Sequence, residues 1–386
     1  MKLIGYTACV LVVALTAGCG TSGSDAGPAP EIDPSRLRPG NYRTAPRTAE
    51  EIRRPINIEI LESVRLKSIL PEIYDIDPKL VFAHLSSAKA MYTPQHPPTE
   101  YDEGVGAKDF AVAVPGLIAG AAASGQRRES SPLGRNATIK LLRFANASQA
   151  AHAADLLAAE ARDDLKGPVE IPGYPAARAA VSKFDSVMSW VPHGEFMTYT
   201  YVGMGVDIPP DHRPLIDLTK RLLDKQVENL AGFRPTPLDR VAELPVDIDG
   251  LLTYALPPTD DVIPESVVTA QVARQMVDRP DLARRAFEDA RVDLVVRGGP
   301  TIYRTADSAA ATRLQAHFVS QVDPEYHPVD PPPGFPTANC VQNSSFTSWL
   351  ECIFTSGRYT VTLEGQQLQD LHQQVSAQYL LLQHAE

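Results

Sequence analysis

Two stretches of the chain carry the same succession of hydrophobic periods. In the first, Ile139 and Leu141 alternate with Lys140 across Thr138–Phe144, a period of two that predicts a strand. Asn146 then stands as a helix N-cap, and Ala147–Leu165 is rich in Ala and Leu without Gly or Pro, which predicts a helix. Val187–Val191 and Glu195–Val202 alternate on either side of Pro192-His193-Gly194, the chemistry of a hairpin turn. Leu215, Leu218, Leu222, Leu223 and Val227 fall on one face of a helix over Leu215–Leu230, closed by Gly232. In the second stretch, strands are predicted at Asp293–Arg297 and Thr301–Arg304, a helix at Ser308–Val322, a hairpin around Gly357 and a helix at Leu368–Leu382.

Short matches run through both stretches in the same order. Asp75-Ile76-Asp77-Pro78-Lys79-Leu80-Val81-Phe82-Ala83 matches Asp247-Ile248-Asp249-Gly250-Leu251-Leu252-Thr253-Tyr254-Ala255, with five identities in nine. Arg143-Phe144-Ala145-Asn146 parallels Arg304-Thr305-Ala306-Asp307, Gly194 parallels Gly357, and Asp217-Leu218 parallels Asp370-Leu371. A repeat of this length implies a duplication. The expected fold is therefore α+β: two similar domains, each an antiparallel sheet with helices packed on one face. The expected boundaries are 49–233 for the first domain, 234–244 for a Pro-rich linker and 245–386 for the second domain.

The N-terminus reads as an address. Met1-Lys2 is followed by an apolar run from Leu3 to Leu15 and by Thr16-Ala17-Gly18-Cys19. A charged start, a short apolar stretch and small residues at the cut describe a signal peptide over residues 1–18. Leu3–Gly18 is shorter than the roughly 20 residues that span a bilayer. Gly20–Pro46 is polar and Pro/Gly-rich, so residues 19–48 are expected to be a flexible tether. With Cys9 in the signal and Cys19 at its end, Cys340 and Cys352 remain, and in an oxidising compartment they are expected to form a disulfide.

Charge and motif content narrow the function. Lys plus Arg number 36 against 47 Asp plus Glu, a net charge of −11 without a basic block, which argues against nucleic-acid binding. Ser86-Ser87-Ala88-Lys89 fits Ser-x-x-Lys, but the companion Ser-Asp-Asn and Lys-Thr-Gly motifs of penicillin-interacting enzymes are absent. Gly104-x-Gly106 lacks the third glycine of a phosphate fingerprint, and His152 with Asp155 offers too few ligands for a metal. The two Asp-Ile-Asp runs read as structural turns. These patterns assign no cofactor, no metal and no catalytic residue.

Two apolar features stand out. On one side of the first hairpin, Met197, Tyr199 and Tyr201 occupy positions that are polar in the second copy (Thr360, Thr362, Glu364). They either pack against the other domain or the segment Ile56–Leu70, or form a ligand or partner surface. Phe110–Ala123 is fourteen uncharged residues interrupted by Pro115, with Gly116 and Gly120 four apart. It is expected to be a buried helix with a close neighbour, or the wall of an apolar pocket.

Taken together, Thr16-Ala17-Gly18-Cys19, the tether, the paired Asp-Ile-Asp units, the Arg-x-Ala-Asx helix start and the Cys340…Cys352 hairpin with Gly357-Arg358-Tyr359 resemble the uncharacterised two-domain lipoproteins of mycobacteria and related actinobacteria. The first of these motifs is similar to a lipobox, with Thr16 where Leu is commonest. The resemblance implies diacylglyceryl transfer to Cys19, cleavage before it, and anchoring to the cell membrane on its extracytoplasmic face. It brings no catalytic residues. The expected function is a non-catalytic binding protein of the cell envelope, with an envelope protein, polymer or lipid as partner. A carrier or sensor of a small apolar ligand and a hydrolase of unrecognised type are the alternatives.

Overall fold

A computed structural model describes residues 32–84, 88–98, 110, 112–129, 134–203, 210–346 and 348–385. The first module holds β1 (Met91–Tyr92), β2 (Leu117–Gln126), β3 (Asn136–Phe144), β4 (Leu165–Pro168), β5 (Arg178–Ser182), β6 (Val187–His193) and β7 (Phe196–Gly203). The second holds β8 (Ser266–Thr269), β9 (Leu294–Arg297), β10 (Thr301–Arg304), β11 (Tyr326–Val329), β12 (Asn339–Asn343), β13 (Leu350–Ser356) and β14 (Tyr359–Gly365). The first sheet is ordered β1-β2-β3-β7-β6-β5-β4 and the second β8-β9-β10-β14-β13-β12-β11. Every neighbouring pair is antiparallel. Raising each strand number of the first sheet by seven gives the second. The chain is an α+β protein of two duplicated modules.

Local chemistry repeats with the topology. Asn146 caps the helix Ala147–Glu160 by accepting from the Gln149 amide at 3.0 Å. Asp307 does the same for the helix Ser308–Ser320, accepting from Ala310 at 2.8 Å. Each cap satisfies an N–H that the first turn leaves without a partner. Gly194 and Gly357 open the two-residue turns of the β6–β7 and β13–β14 hairpins with φ of 58° and 50°. Positive φ there lets the turn follow the right-handed strand twist.

The helices cover both faces of each sheet, where a single helical layer was expected. In the first module, Ile139, Leu141, Val187 and Val202 pack with Leu218 and Leu222 of the helix Arg213–Gly232. On the opposite face, Leu142, Trp190, Met197 and Tyr199 pack with Ala150, Ala153 and Leu157 of the helix Ala147–Glu160. In the second module, Val296, Ile302 and Val361 meet Leu371 and Val375 of the helix Leu368–Leu382. Val295 and Tyr303 meet Leu314 of Ser308–Ser320 and Phe287 of the helix Pro280–Ala290. Alternate side chains on strands such as β7 are apolar on both faces, so both require cover.

Two expectations need correction. The apolar run 110–123 ends in strand β2, not in a helix. A strand covered on both sides loses its alternation, and its composition then looks like that of a buried helix. Small residues are needed here: a Cβ on Gly120 would lie 2.4 Å from Leu142 Cδ2. The segment 32–48 is not a free tether. The Asp33 amide donates to the Gly334 carbonyl at 2.8 Å, Leu37 joins the core of the second module, and the Tyr42 hydroxyl donates to Asp370 at 2.8 Å. Ile52 and Leu61 belong to the same core, so the chain packs on the second module before it enters the first. The stretch 234–244 is likewise packed: Thr236 is buried and its hydroxyl donates to Glu62 at 2.7 Å. Residues 1–31, with the expected signal peptide and Cys19, lie outside the described residues.

Candidate functional site

Ion pairs with buried members lie within the modules and across their junction. Arg47 binds Glu265 with two hydrogen bonds of 3.0 and 2.7 Å and also donates to the Leu252 carbonyl at 2.9 Å. The Glu265 amide donates to Asn57 Oδ1 at 2.8 Å. Arg274 and Arg284 of the second module meet Glu72, and Arg284 also reaches Asp75 at 2.8 Å. In the first module Glu62 accepts from Arg143 at 2.6 Å and from Arg65 at 2.8 Å. Charges removed from water are tolerated only when paired in this way.

Beside this junction lies an open cleft of roughly 330 Å3. The equivalent edge strands of the two modules both line it, through Met91 of β1 and Ser266 of β8. Ile56, Ile60, Val262, Ile263 and Met276 supply apolar lining. Val262 is 68% exposed, an unusual placement for a branched apolar side chain at a cleft margin. Glu59, Lys89, Thr93, His96 and Arg297 supply polar lining. Thr93 and His96 close a tight turn by exchanging backbone hydrogen bonds of 3.1 Å each. Arg297 sits at the end of β9, opposite Ser266, and is half-buried. Among the described residues no carboxylate forms an ion pair with Arg297 or Lys89.

Lys67 lies close enough to Arg297 to feel its charge. Its side chain is fully buried, and its ammonium donates to the carbonyls of Ala88 at 2.6 Å and Ala122 at 2.5 Å. Burial, with a smaller contribution from Arg297, pulls its pKa down to about 7. A second shifted group, Glu351, is pushed up to about 7 by burial and by Glu364, which faces it across β13 and β14. It belongs to the sheet of the second module and does not line the cleft. Among the described residues no group of three or more His, Cys, Asp or Glu is placed to hold a metal, and no helix is long and apolar enough to cross a membrane.

The sequence-derived candidates fall elsewhere. Cys340 and Cys352 face each other across β12 and β13 and are disulfide-bonded, with Cα atoms 4.1 Å apart. Met197 and Tyr199 are buried beneath the helix Ala147–Glu160 and offer no surface. Tyr201 is half-buried, and its phenol oxygen accepts from Ser186 at 2.9 Å. Asp155 pairs with Arg178 at 2.6 Å. In the Asp-Ile-Asp runs Asp77 accepts from Lys79, Asp247 from Leu252, and Asp249 meets Arg304, which gives them structural roles. Ser86, Gly104 and Gly106 lie outside the described residues. The cleft residues are not legible in the sequence because they come from five separate stretches of the chain. The one local signal was Arg297, a charge placed directly after the apolar strand Leu294-Val295-Val296.

No curated protein matches the chain. Two family descriptions do match: the domain of unknown function DUF7373 N-terminal over residues 50–246, and its C-terminal counterpart over residues 252–385. These two spans meet at the boundary between the duplicated modules, and the chain belongs to the DUF7373 family.

Proposed function

We propose that the protein is a non-catalytic binding protein of the cell envelope, lipid-anchored through Cys19 on the extracytoplasmic face, with the cleft between its modules as the binding site. The observation that carries this reading is the cleft itself: both modules line it, and its apolar side chains meet solvent beside a few polar groups, as in small-molecule sites. The sheets on either side have densely packed apolar cores, so a ligand is held between modules and not inside one of them. Lys67, which feels the charge of the cleft residue Arg297, is held by two backbone carbonyls, a structural role rather than that of a reacting amine. The anchor reading draws on Thr16-Ala17-Gly18-Cys19 and on the disulfide, which suits an oxidising compartment.

The test is purification of the native protein from membranes, with mass spectrometry of the N-terminal peptide and of co-purifying small molecules. The expected result is a mature chain that starts at an acylated Cys19 and carries a stoichiometric small molecule, which Ile60→Trp displaces by filling the cleft. A chain found in the soluble fraction with Met1 intact refutes the anchor. Recovery of the same molecule from Ile60→Trp refutes the site.

A further inference from the structure

We infer that the cleft takes a small molecule with an acidic head, a carboxylate or a phosphate monoester, on a compact apolar body. The inference rests on the binding reading above and assigns its ligand class. Three observations support it. The cleft carries Lys89 from the first module and Arg297 from the second, against the single carboxylate of Glu59, so its charge is opposite in sign to that of a chain with net charge −11. Arg297 is also out of pattern: Arg47, Arg143, Arg274, Arg284 and Arg304 each have a carboxylate partner, whereas Arg297 has none among the described residues. A half-buried guanidinium without a counter-charge is costly, and its planar donor array matches a carboxylate or phosphate.

The third observation is the division of the lining. Ile60, Met91, Ile263 and Met276 can surround an apolar body, with Met side chains adapting to its shape, while Ser266 and Arg297 stand side by side across β8 and β9. A volume of roughly 330 Å3 suits a body of about ten carbon atoms, at the small end of ligand pockets.

The test uses the full chain carrying Cys19→Ser, so that no acyl chain competes for the cleft. Decanoate, decyl phosphate, decanol and decylamine are titrated below their micellar concentrations by calorimetry. The expected result is that at least one of the two anions binds ten-fold or more tightly than decanol, and the tighter anion identifies the head. Arg297→Gln is expected to abolish that preference and Arg297→Lys to retain most of it, while decanol binding, unchanged in both, reports an intact cleft. Decanol binding as tightly as both anions, or decylamine binding more tightly, overturns the acidic-ligand inference and leaves the cleft reading standing. No binding by any of the four overturns both.

Discussion

Replacing Glu265 tests whether the segment 47–57 is part of the folded second module. The carboxylate is fully buried and takes two hydrogen bonds from Arg47, with Arg54 3.2 Å from one of its oxygens. Glu265→Gln preserves shape but leaves Arg47, whose side chain is 2% exposed, without a counter-charge. Breaking one side of a buried pair costs about 3–5 kcal/mol, more than deletion of both charges in favour of packed apolar groups. The double variant Arg47→Met/Glu265→Leu should therefore recover most of the loss, since Arg54 retains Asp261 at 3.3 Å. The chain has two tryptophans, Trp190 in the first module and Trp349 in the second. In a Trp190→Phe background, urea unfolding followed by the emission of Trp349 reports the second module. A loss under 1 kcal/mol for Glu265→Gln, or no recovery in the double variant, would refute the placement of this segment.

Three further outcomes are expected. Lys67 has a folded pKa of about 7 against an ordinary value of 10.5, so the unfolded chain binds the extra proton between those values and stability rises with pH across that window. Lys67→Met should flatten the rise, read as urea midpoints at pH 6, 7.5 and 9; an equally steep rise in the variant would exclude this group as its source. Reducing Cys340–Cys352, which closes a loop with a sequence separation of 12, should cost about 3 kcal/mol in the second module, measured by denaturation with and without reductant. Asn146→Ala and Asp307→Ala should each cost about 1 kcal/mol, because the two caps are equivalent; a loss confined to one of them in thermal unfolding would contradict that equivalence.

Features set by neighbours in sequence were legible, and features set by distant neighbours were not. The Asx caps and the Gly194 and Gly357 turns depend on contacts within three residues, and each was readable from its own tetrapeptide. Strand β2 was misread because cover on both faces erases alternation, and the Tyr199 face was misread because the Ala-rich helix that covers it gives no sign of which side it takes. The segment 32–48 has the composition of a tether, yet a few well-placed contacts, Leu37, Tyr42 and Arg47 among them, hold it in place. The cleft was beyond sequence reading because Met91, Ser266 and Arg297 become neighbours only when two sheets meet.

The bond between Arg47 and Glu265 spans 218 residues, and Tyr42 finds Asp370 across 328. Contacts of such separation form slowly. A chain that is made from its N-terminus therefore has to wait: the segment that holds Tyr42 stays unsatisfied until the last helix has emerged. Assembly of the second module ends near where translation began, and a ribosome-bound chain lacks the helix that holds this segment in place.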